Sequence, residues 1–376
     1  MHTNFELKKH NTLKIFQALC SKDSASRKEL AEATELSWGS VSAITSDLLA
    51  RGVIDAEKNE SAGGRPADKL ALSATRYLQL GIDVNSVGLS FAVVNLRGEA
   101  VYFEEMPIVS RAKDHLLAIL FEKTGEILLK TQNVIGINLS MQGKINRKTG
   151  VSVRTNFFTD WKDVPLVRMF ETKFQLPTKL YHDPDCLLYY HLRHDPRLSG
   201  ANSGYVVRLD DGIGLARLIQ GTLFETGDDT SLDLGHTISA PDGRLCPCGK
   251  RGCLETYASL RGMREIYAER VGANEDFAEK LAVQDGTTVE ILKEATDRLG
   301  VSIANLFTLS SPEFILLDGV LLSIAPYCFD EIKKNTEKRL NDSCNLLLAQ
   351  YKREAPAVGA CLLTTEKNAE EILFHL

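Results

Sequence analysis

Apolar positions in the first 76 residues recur at the spacing of amphipathic helices. The pattern predicts helices at about 11–21, 27–33 and 38–51, and Gly52 ends the third. The segments VID and KLAL then read as two short strands. Helix, short helix, turn, helix and hairpin is the order of a winged helix-turn-helix. The predicted N-caps are Ser24 or Ser26 for the second helix and Ser37 for the third.

From about residue 77 the pattern changes to apolar strands, such as LQLGIDV, VIGINLS and FILLDGV, that alternate with helical stretches. This alternation predicts an α/β fold. Two similar strand-turn-strand units, at 79–97 and 204–222, predict a duplicated, two-lobed architecture. The helical stretches are expected at about 112–130, 163–175, 184–193, 256–280 and 288–309.

Composition narrows the class of protein. The 376 residues are 44% hydrophobic and 25% charged, as in ordinary globular proteins. A net charge of −6 excludes a polycation. No apolar run reaches the roughly 18 residues of a membrane span, and the N-terminus lacks an apolar signal core. We therefore expect a cytoplasmic protein without membrane contact, whose eight cysteines are thiols or metal ligands.

The densest chemistry lies in the segment CPCGKRGCLE at 246–255. Its three thiols and the preceding His236 supply three sulfurs and one nitrogen, a closed tetrahedral set suited to structural zinc. Gly249 and Gly252 allow the short loop to fold back on itself. The alternative is three unrelated loop thiols. The predicted zinc ligands are His236, Cys246, Cys248 and Cys253.

Around this loop, LGHTISAPDGRLCPCGKRGCLETYAS resembles the signature of ROK proteins, a family of bacterial sugar kinases and sugar-responsive repressors. Further resemblance lies in WKDVPLVRMFETKFQLPTKLYHDPD, ANLFTLSSPEFILLDG and APAVGACLL. A winged-helix head followed by GGRP resembles the repressor branch. The resemblance implies an actin-like, two-lobed ATPase fold that binds a sugar between its lobes.

The resemblance also divides the chain. A winged helix-turn-helix DNA-binding domain is expected at 1–76 and a ROK domain at 77–376. Within the ROK domain, lobe one is expected at about 77–185 plus the C-terminal helix, and lobe two at about 186–360. The zinc loop is expected at 236–255.

The three turns that bind nucleotide in the family's kinases differ here. The first, usually Asp-Ile-Gly-Gly-Thr, is DVNSV at 83–87, so side chains replace glycines and a valine replaces the threonine hydroxyl. The second, usually Gly-Thr-Gly-x-Gly, is DDGIG at 210–214, whose carboxylates repel polyphosphate. The late Gly-Gly turn is DG at 318–319. These departures predict no kinase activity, although Asp183 stands where the family's catalytic base lies.

The sugar site implied by the resemblance is altered less. The family's asparagine before the base is His182, its Glu-x-Gly-His begins with Asp233, and its Pro-Gly is Gln142-Gly143. As alternatives, Asp233 caps a turn, His182 is a satisfied surface histidine, and the ligand is an unusual sugar, a modified sugar or none. The candidate ligand-binding residues are Asn156, His182, Asp183, Asp233, His236 and Glu255.

In a helix-turn-helix the recognition helix presents its N-terminal residues to base edges. Residues 29–50 carry four acids and no Lys or Arg, which is unfavourable for phosphate neutralisation, although the hydroxyl of Thr45 and its serine neighbours can contact phosphate. In the predicted wing, GGRP at 63–66 directs Arg65 towards an A·T-rich minor groove. Alternatively, GGRP is an ordinary turn and Trp38 a core aromatic. The candidate DNA-binding residues are Arg27, Ser37, Trp38, Ser40, Ser42, Gly64, Arg65 and Pro66.

These features together predict a sugar-responsive transcriptional regulator of carbohydrate genes. Two protomers, as a homodimer or within a tetramer, would bind the two half-sites of a palindromic operator. A sugar would change the spacing of the heads if it favoured one arrangement of the lobes. The alternatives are an ATP-dependent hexose kinase with an appended DNA-binding head and a regulator controlled by a protein partner.

Overall fold

The computed structural model describes residues 4–57, 69–225, 232–272 and 276–374. The predicted wing tip, with Gly64, Arg65 and Pro66, lies outside the described residues.

The N-terminal elements form a compact head in the predicted order. A three-stranded antiparallel sheet, in the order β1-β3-β2, packs against three helices. The first helix begins earlier than the apolar pattern indicated, and the two-residue strand β1 was not predicted. The elements are α1 (Asn4–Cys20), β1 (Ala25–Ser26), α2 (Arg27–Thr34), α3 (Trp38–Ala50), β2 (Ile54–Glu57) and β3 (Lys69–Leu72).

Local capping fixes the two helices of the helix-turn-helix. Ser26, rather than Ser24, caps α2 in a reciprocal capping box with Glu29. The Ser37 hydroxyl caps α3 by accepting the backbone N–H of Ser40 at 3.3 Å. Both caps confirm the predicted helix starts.

A mixed sheet in the order β11-β7-β4-β5-β6 forms the first lobe, and the small antiparallel sheet β10-β9-β8 lies beside it. The elements are β4 (Leu78–Val84), β5 (Gly88–Asn95), β6 (Ala100–Pro107), α4 (Lys113–Lys130), β7 (Val134–Met141), β8 (Lys144–Asn146), β9 (Val151–Arg154), β10 (Lys162–Val164), α5 (Leu166–Phe174), β11 (Thr178–His182) and α6 (Asp183–His194).

A second mixed sheet, in the order β14-β13-β12-β15-β16, forms the second lobe. The predicted helix at 256–280 is divided into three helices, α7 to α9. The elements are β12 (Ser203–Leu209), β13 (Ile213–Ile219), β14 (Thr222–Leu223), α7 (Glu255–Ala258), α8 (Leu260–Val271), α9 (Phe277–Ala282), α10 (Gly286–Ser310), β15 (Phe314–Asp318), α11 (Val320–Ile324), α12 (Cys328–Leu340) and β16 (Leu346–Leu348).

The two large sheets share one pattern of pairing. In each sheet, the first strand along the chain pairs antiparallel with the second strand and parallel with a later strand. One further strand then pairs with each of these two neighbours. This repetition agrees with the duplication predicted from the two strand-turn-strand units.

Two C-terminal helices, α13 (Ala355–Lys367) and α14 (Ala369–Phe374), connect the lobes with the head. Helix α13 packs so closely on α6 that a Cβ at Gly359 would lie 1.9 Å from the Cys186 carbonyl oxygen. Helix α14 places Ile372 and Leu373 in the apolar core of the head. The head and the first lobe are therefore packed together through the end of the chain.

Candidate functional site

All six predicted ligand-binding residues line one cavity of about 320 Å³ between the lobes. Strand β11 and the start of α6 supply His182 and Asp183, and α7 supplies Glu255. Asn156, which follows β9, is exposed at the cavity mouth. The same cavity is also lined by Arg208, Lys144 and Arg154, three basic residues that were not predicted as site residues.

A buried ion pair forms the floor of this cavity. The Arg208 Nη1 atom lies 2.9 Å from Asp183 Oδ2, and its Nε lies 2.6 Å from Asp210 Oδ2. All three side chains are almost completely buried. The acidic residue at the position of the family's base is therefore already paired with a cation of the chain.

Burial controls protonation at the floor. It raises the pKa of Asp183 to about 8, against the opposing effect of Arg208. Burial also lowers the pKa of His182 to about 3, and the positive charges of Arg147 and Arg208 lower it further. His182 is thus a buried, neutral histidine at pH 7, and the alternative of a surface histidine was wrong.

Three floor atoms have unsatisfied hydrogen-bonding capacity. Among the described residues, His182 Nδ1, Asp183 Oδ1 and Arg208 Nη1 are buried without an aligned hydrogen bond. The 2.9 Å approach of Arg208 Nη1 to Asp183 Oδ2 and the 3.5 Å approach of His182 Nε2 to Asp183 Oδ1 are contacts that leave this capacity open. Buried polar atoms are almost always hydrogen-bonded in native proteins. The donor and acceptors left over at the floor therefore suit a polar ligand.

The other acids of the cavity have partners. Glu255 binds Arg261 at 2.6 Å and accepts the Ile213 N–H at 3.2 Å. Asp233 Oδ1 accepts the backbone N–H of His236 at 3.1 Å, so it does cap a turn, the alternative stated for it. Asp233 nevertheless lines the cavity, and capping uses only part of its acceptor capacity.

At the first candidate nucleotide turn, three backbone N–H groups already donate to side-chain oxygens of the protein. The N–H groups of Val87 and Gly88 donate to Asn85 Oδ1 at 2.8 and 3.0 Å. The Ser86 N–H donates to Gln142 Oε1 at 3.1 Å. Phosphate turns bind through free backbone N–H groups, and these three already have protein acceptors.

One hydrogen bond links the second turn to the segment after the third, and another closes the third turn on itself. Asp210 Oδ1 accepts the Val320 N–H at 2.6 Å, and Asp318 Oδ1 accepts the Gly319 N–H at 2.6 Å. A second cavity of about 430 Å³ lies beside these turns. Arg208 lines this cavity as well as the ligand cavity, so its side chain stands between them.

The predicted zinc ligands converge. The four ligand atoms of His236, Cys246, Cys248 and Cys253 lie within 4.8 Å of one another. The Cys248 and Cys253 sulfurs are 3.6 Å apart, close to the edge of about 3.8 Å that a tetrahedron with Zn–S bonds of about 2.3 Å requires. The donor set and its spacing fit a tetrahedral metal site.

The predicted DNA-binding surface is only partly exposed. Trp38, at the N-terminus of α3, is 60% exposed, so it is not a core aromatic. Ser37 is also exposed, while Ser40 and Ser42 are half-buried. Arg27 is half-buried, and its Nε donates to the Thr45 hydroxyl at 3.0 Å.

Thr45 is fully buried, which corrects the expectation that its hydroxyl contacts phosphate. The buried face of α3 also carries Val41, Ile44 and Leu48, so Thr45 points into the head rather than towards solvent.

In the part of the chain that the structure describes, every helix is too short or too polar to span a membrane.

Comparison with known proteins places this geometry in a family. The ROK family model matches residues 79–367, and a model for winged helix-turn-helix DNA-binding proteins matches residues 8–55. The chain belongs to the ROK family, as the sequence predicted, and the two-lobed α/β fold with an N-terminal winged helix-turn-helix is confirmed.

Similar proteins include repressors and kinases. A xylose repressor of Bacillus spizizenii is 23% identical over 375 residues, which cover 96% of each chain. The DNA-binding transcriptional repressor Mlc of Escherichia coli is 25% identical over 265 residues, 68% of this chain and 64% of that protein.

Among solved structures, a ROK family transcriptional regulator described as a homolog of E. coli Mlc has a TM-score of 0.77 at 22% identity and covers 96% of each chain. A ROK family glucokinase from Streptomyces griseus, in complex with glucose and AMPPNP, has a TM-score of 0.66 at 20% identity. That match covers 75% of this chain and 97% of the glucokinase.

Arg208 is the functional candidate that sequence reasoning missed. Its signal was a charged residue inside the apolar run YVVRL, in a strand that the pattern placed in the protein interior. A buried charge normally has a partner, and the nearby acids Asp183 and Asp210 were each interpreted separately. The pairing became evident only when the fold brought β12 beside α6.

Proposed function

We propose that this protein is a sugar-responsive DNA-binding regulator, acting as a repressor of carbohydrate genes, and that its kinase-like domain is a sensor without catalysis. The two relatives described above are repressors, and one of them is a xylose repressor, which supports a sugar as the signal. A sugar can change DNA binding only if it binds one arrangement of the lobes more tightly than the other.

One observation carries the proposal: helix α14 is built into the core of the head while α13, directly before it, packs on the first sheet and α6. Asp183, on the cavity floor, is the first residue of α6. A ligand that moves α6 would therefore bias the position of the head through α13 and α14, which is the physical connection that regulation needs.

The cavity chemistry supports a sugar as the signal. It offers one carboxyl group, one neutral imidazole and one guanidinium with unfilled hydrogen-bonding capacity at its floor. Asn156, Asp233 and Glu255 add oxygen and amide groups around the wall. Concave sites with a few convergent polar groups are typical of small-molecule binding, and sugar hydroxyls both donate and accept.

The cleft geometry argues against phosphoryl transfer by this chain. Asp183, the residue that would act as base, is buried with a raised pKa and contacts Arg208, and the backbone N–H groups of the first turn already have protein acceptors. In a kinase these groups would have to be free for substrate and nucleotide.

We further propose that His236, Cys246, Cys248 and Cys253 hold one structural Zn²⁺. With three thiolates and an imidazole as ligands, such an ion would stabilise the loop and leave no open position for substrate. Because His236 also lines the ligand cavity, the ion would fix that side of the cavity wall.

The DNA-binding part of the proposal is tested with fluorescent duplexes from upstream of the protein's own gene. We expect a homodimer that binds a palindromic site specifically at moderate salt, with an affinity that a sugar changes. Absence of specific DNA binding, with or without sugars, would overturn the proposed function. Release of ADP in a coupled assay with common hexoses would show that the domain is a kinase instead.

A further inference from the structure

A row of basic residues crosses the small sheet at the mouth of the ligand cavity. Arg154 of β9 is the direct cross-strand partner of Lys144 on β8 and of Lys162 on β10. Directly paired residues project from the same face of a sheet, and like charges in such pairs are destabilising. All three side chains are exposed, and within the described ranges none forms an ion pair with a carboxylate.

Two members of the row, Lys144 and Arg154, line the ligand cavity, whereas Lys162 does not. The row is therefore not only a solvated surface: two of its charges face a concave, partly enclosed space. Since the pairing of like charges costs stability, an anion that bound between them would offset a repulsion that is already present in the fold.

Most other charges of this cavity have an ion-pair partner. Asp183 pairs with Arg208, and Glu255 pairs with Arg261. Of the charged residues that line the cavity in the described structure, Lys144, Arg154 and Asp233 have no ion pair, and Asp233 accepts only the backbone N–H of His236. The unpaired charges of the cavity are therefore two positive and one negative, although the whole chain has a net charge of −6.

We propose that the effector is an anionic carbohydrate: its hydroxyl groups fill the floor at His182, Asp183 and Arg208, and its carboxylate or phosphate binds Lys144 and Arg154 at the mouth. This inference rests on the proposed sugar-sensing function and names the class of sugar. A guanidinium and an ammonium side by side suit an anionic oxygen group, because charge-assisted hydrogen bonds are stronger than neutral ones.

The proposal is tested by calorimetric titration of the full chain with a panel of hexoses and pentoses. Each neutral sugar is compared with its own uronate and with its 1-phosphate and terminal phosphate, which separates carboxylate from phosphate as the anionic group. We expect one anionic member to bind at least about tenfold more tightly than its neutral parent, as expected for a hydrogen bond to a charged group.

Three single variants locate the anion. Lys144→Gln and Arg154→Gln should each weaken that anionic ligand about tenfold and change the affinity of the neutral parent less than about twofold. Lys162→Gln is the matched control, since it removes the same charge from the same row outside the cavity, and it should change neither affinity by more than about twofold.

Two outcomes would overturn the inference alone: neutral sugars that bind as tightly as their anionic derivatives, and an equal loss of anion affinity in all three variants, which would indicate a general surface field. If no sugar on the panel binds, the inference and sugar sensing both fail, whereas specific DNA binding would remain to be judged by its own assay.

Discussion

Replacing Arg208 with methionine tests the buried ion pair that closes the cleft. The substitution keeps most of the side-chain volume but removes the cation that lies 2.9 Å from Asp183 and 2.6 Å from Asp210. Because it leaves buried carboxyl groups without their partner, we expect the free energy of unfolding to fall by about 3–5 kcal/mol at pH 7.

The pH dependence gives this prediction a specific signature. The folded-state pKa of Asp183, about 8, lies above its unfolded value, so its contribution is fully present below the unfolded pKa and is lost as pH rises through 8. Arg208 is the main influence that lowers this pKa, so the variant keeps its proton to higher pH. Between pH 7 and 9 the variant should therefore lose more stability than the wild type, by on the order of 1 kcal/mol.

Urea unfolding of both proteins at pH 7 and pH 9 measures these differences. Arg264→Met is the matched control. Arg264 pairs at 3.1 Å with Asp211, the chain neighbour of Asp210, but the Arg264 side chain is half exposed. It should cost no more than about 1 kcal/mol, independent of pH. A pH-independent loss in Arg208→Met, or a loss no larger than the control's, would refute the buried ion pair as described.

Further predictions concern the loop, the recognition helix and the C-terminal helix. Metal analysis should find one zinc per chain, and Cys248→Ser should abolish it and lower the melting temperature; a full complement of zinc in the variant would contradict the proposed ligand set. Trp38→Ala should weaken specific DNA binding about tenfold while changing stability by less than about 0.5 kcal/mol, because its side chain is 60% exposed. Ile372→Ala, in the head core, should cost about 2–5 kcal/mol in denaturant melts, against less than about 0.5 for the control Leu129→Ala, which is 90% exposed; equal effects would argue against the docking of α14.

Local signals made much of the fold predictable. The capping serines, the helical periodicity and the two strand-turn-strand units each depend on residues near one another in sequence. The division of the predicted helix at 256–280 was missed because its apolar positions are consistent with one continuous helix. In the structure, Ser259 caps α8, and a separate helix begins there.

The site was predictable where a family motif supplied the residues and not where distant strands had to meet. His182, Asp183 and Glu255 were found through the resemblance, and they line one cavity. The pairing of Arg208 with Asp183 joins residues from two lobes, and the hydrogen bond from the Ser86 N–H to Gln142 joins the β4–β5 turn to the residue after β7. Neither contact follows a periodic pattern, and the only local signal was the charge of Arg208 inside an apolar run.

The basic row at the cavity mouth was missed for a similar reason. Lys144, Arg154 and Lys162 are separated by turns, and nothing in their spacing along the chain indicates that they are aligned. The three-stranded sheet that carries them was not predicted, because its strands are only three or four residues long, too short for alternating positions to stand out.

The central claim, that one chain couples a carbohydrate to DNA binding, is tested most directly by measuring the affinity for the bound sugar with and without operator DNA. Linkage requires the two effects to be reciprocal, with a coupling of about 5–150-fold in typical allosteric proteins. The account predicts that operator DNA changes the sugar affinity by the same factor by which the sugar changes the DNA affinity. A sugar affinity that is identical with and without bound operator would contradict it.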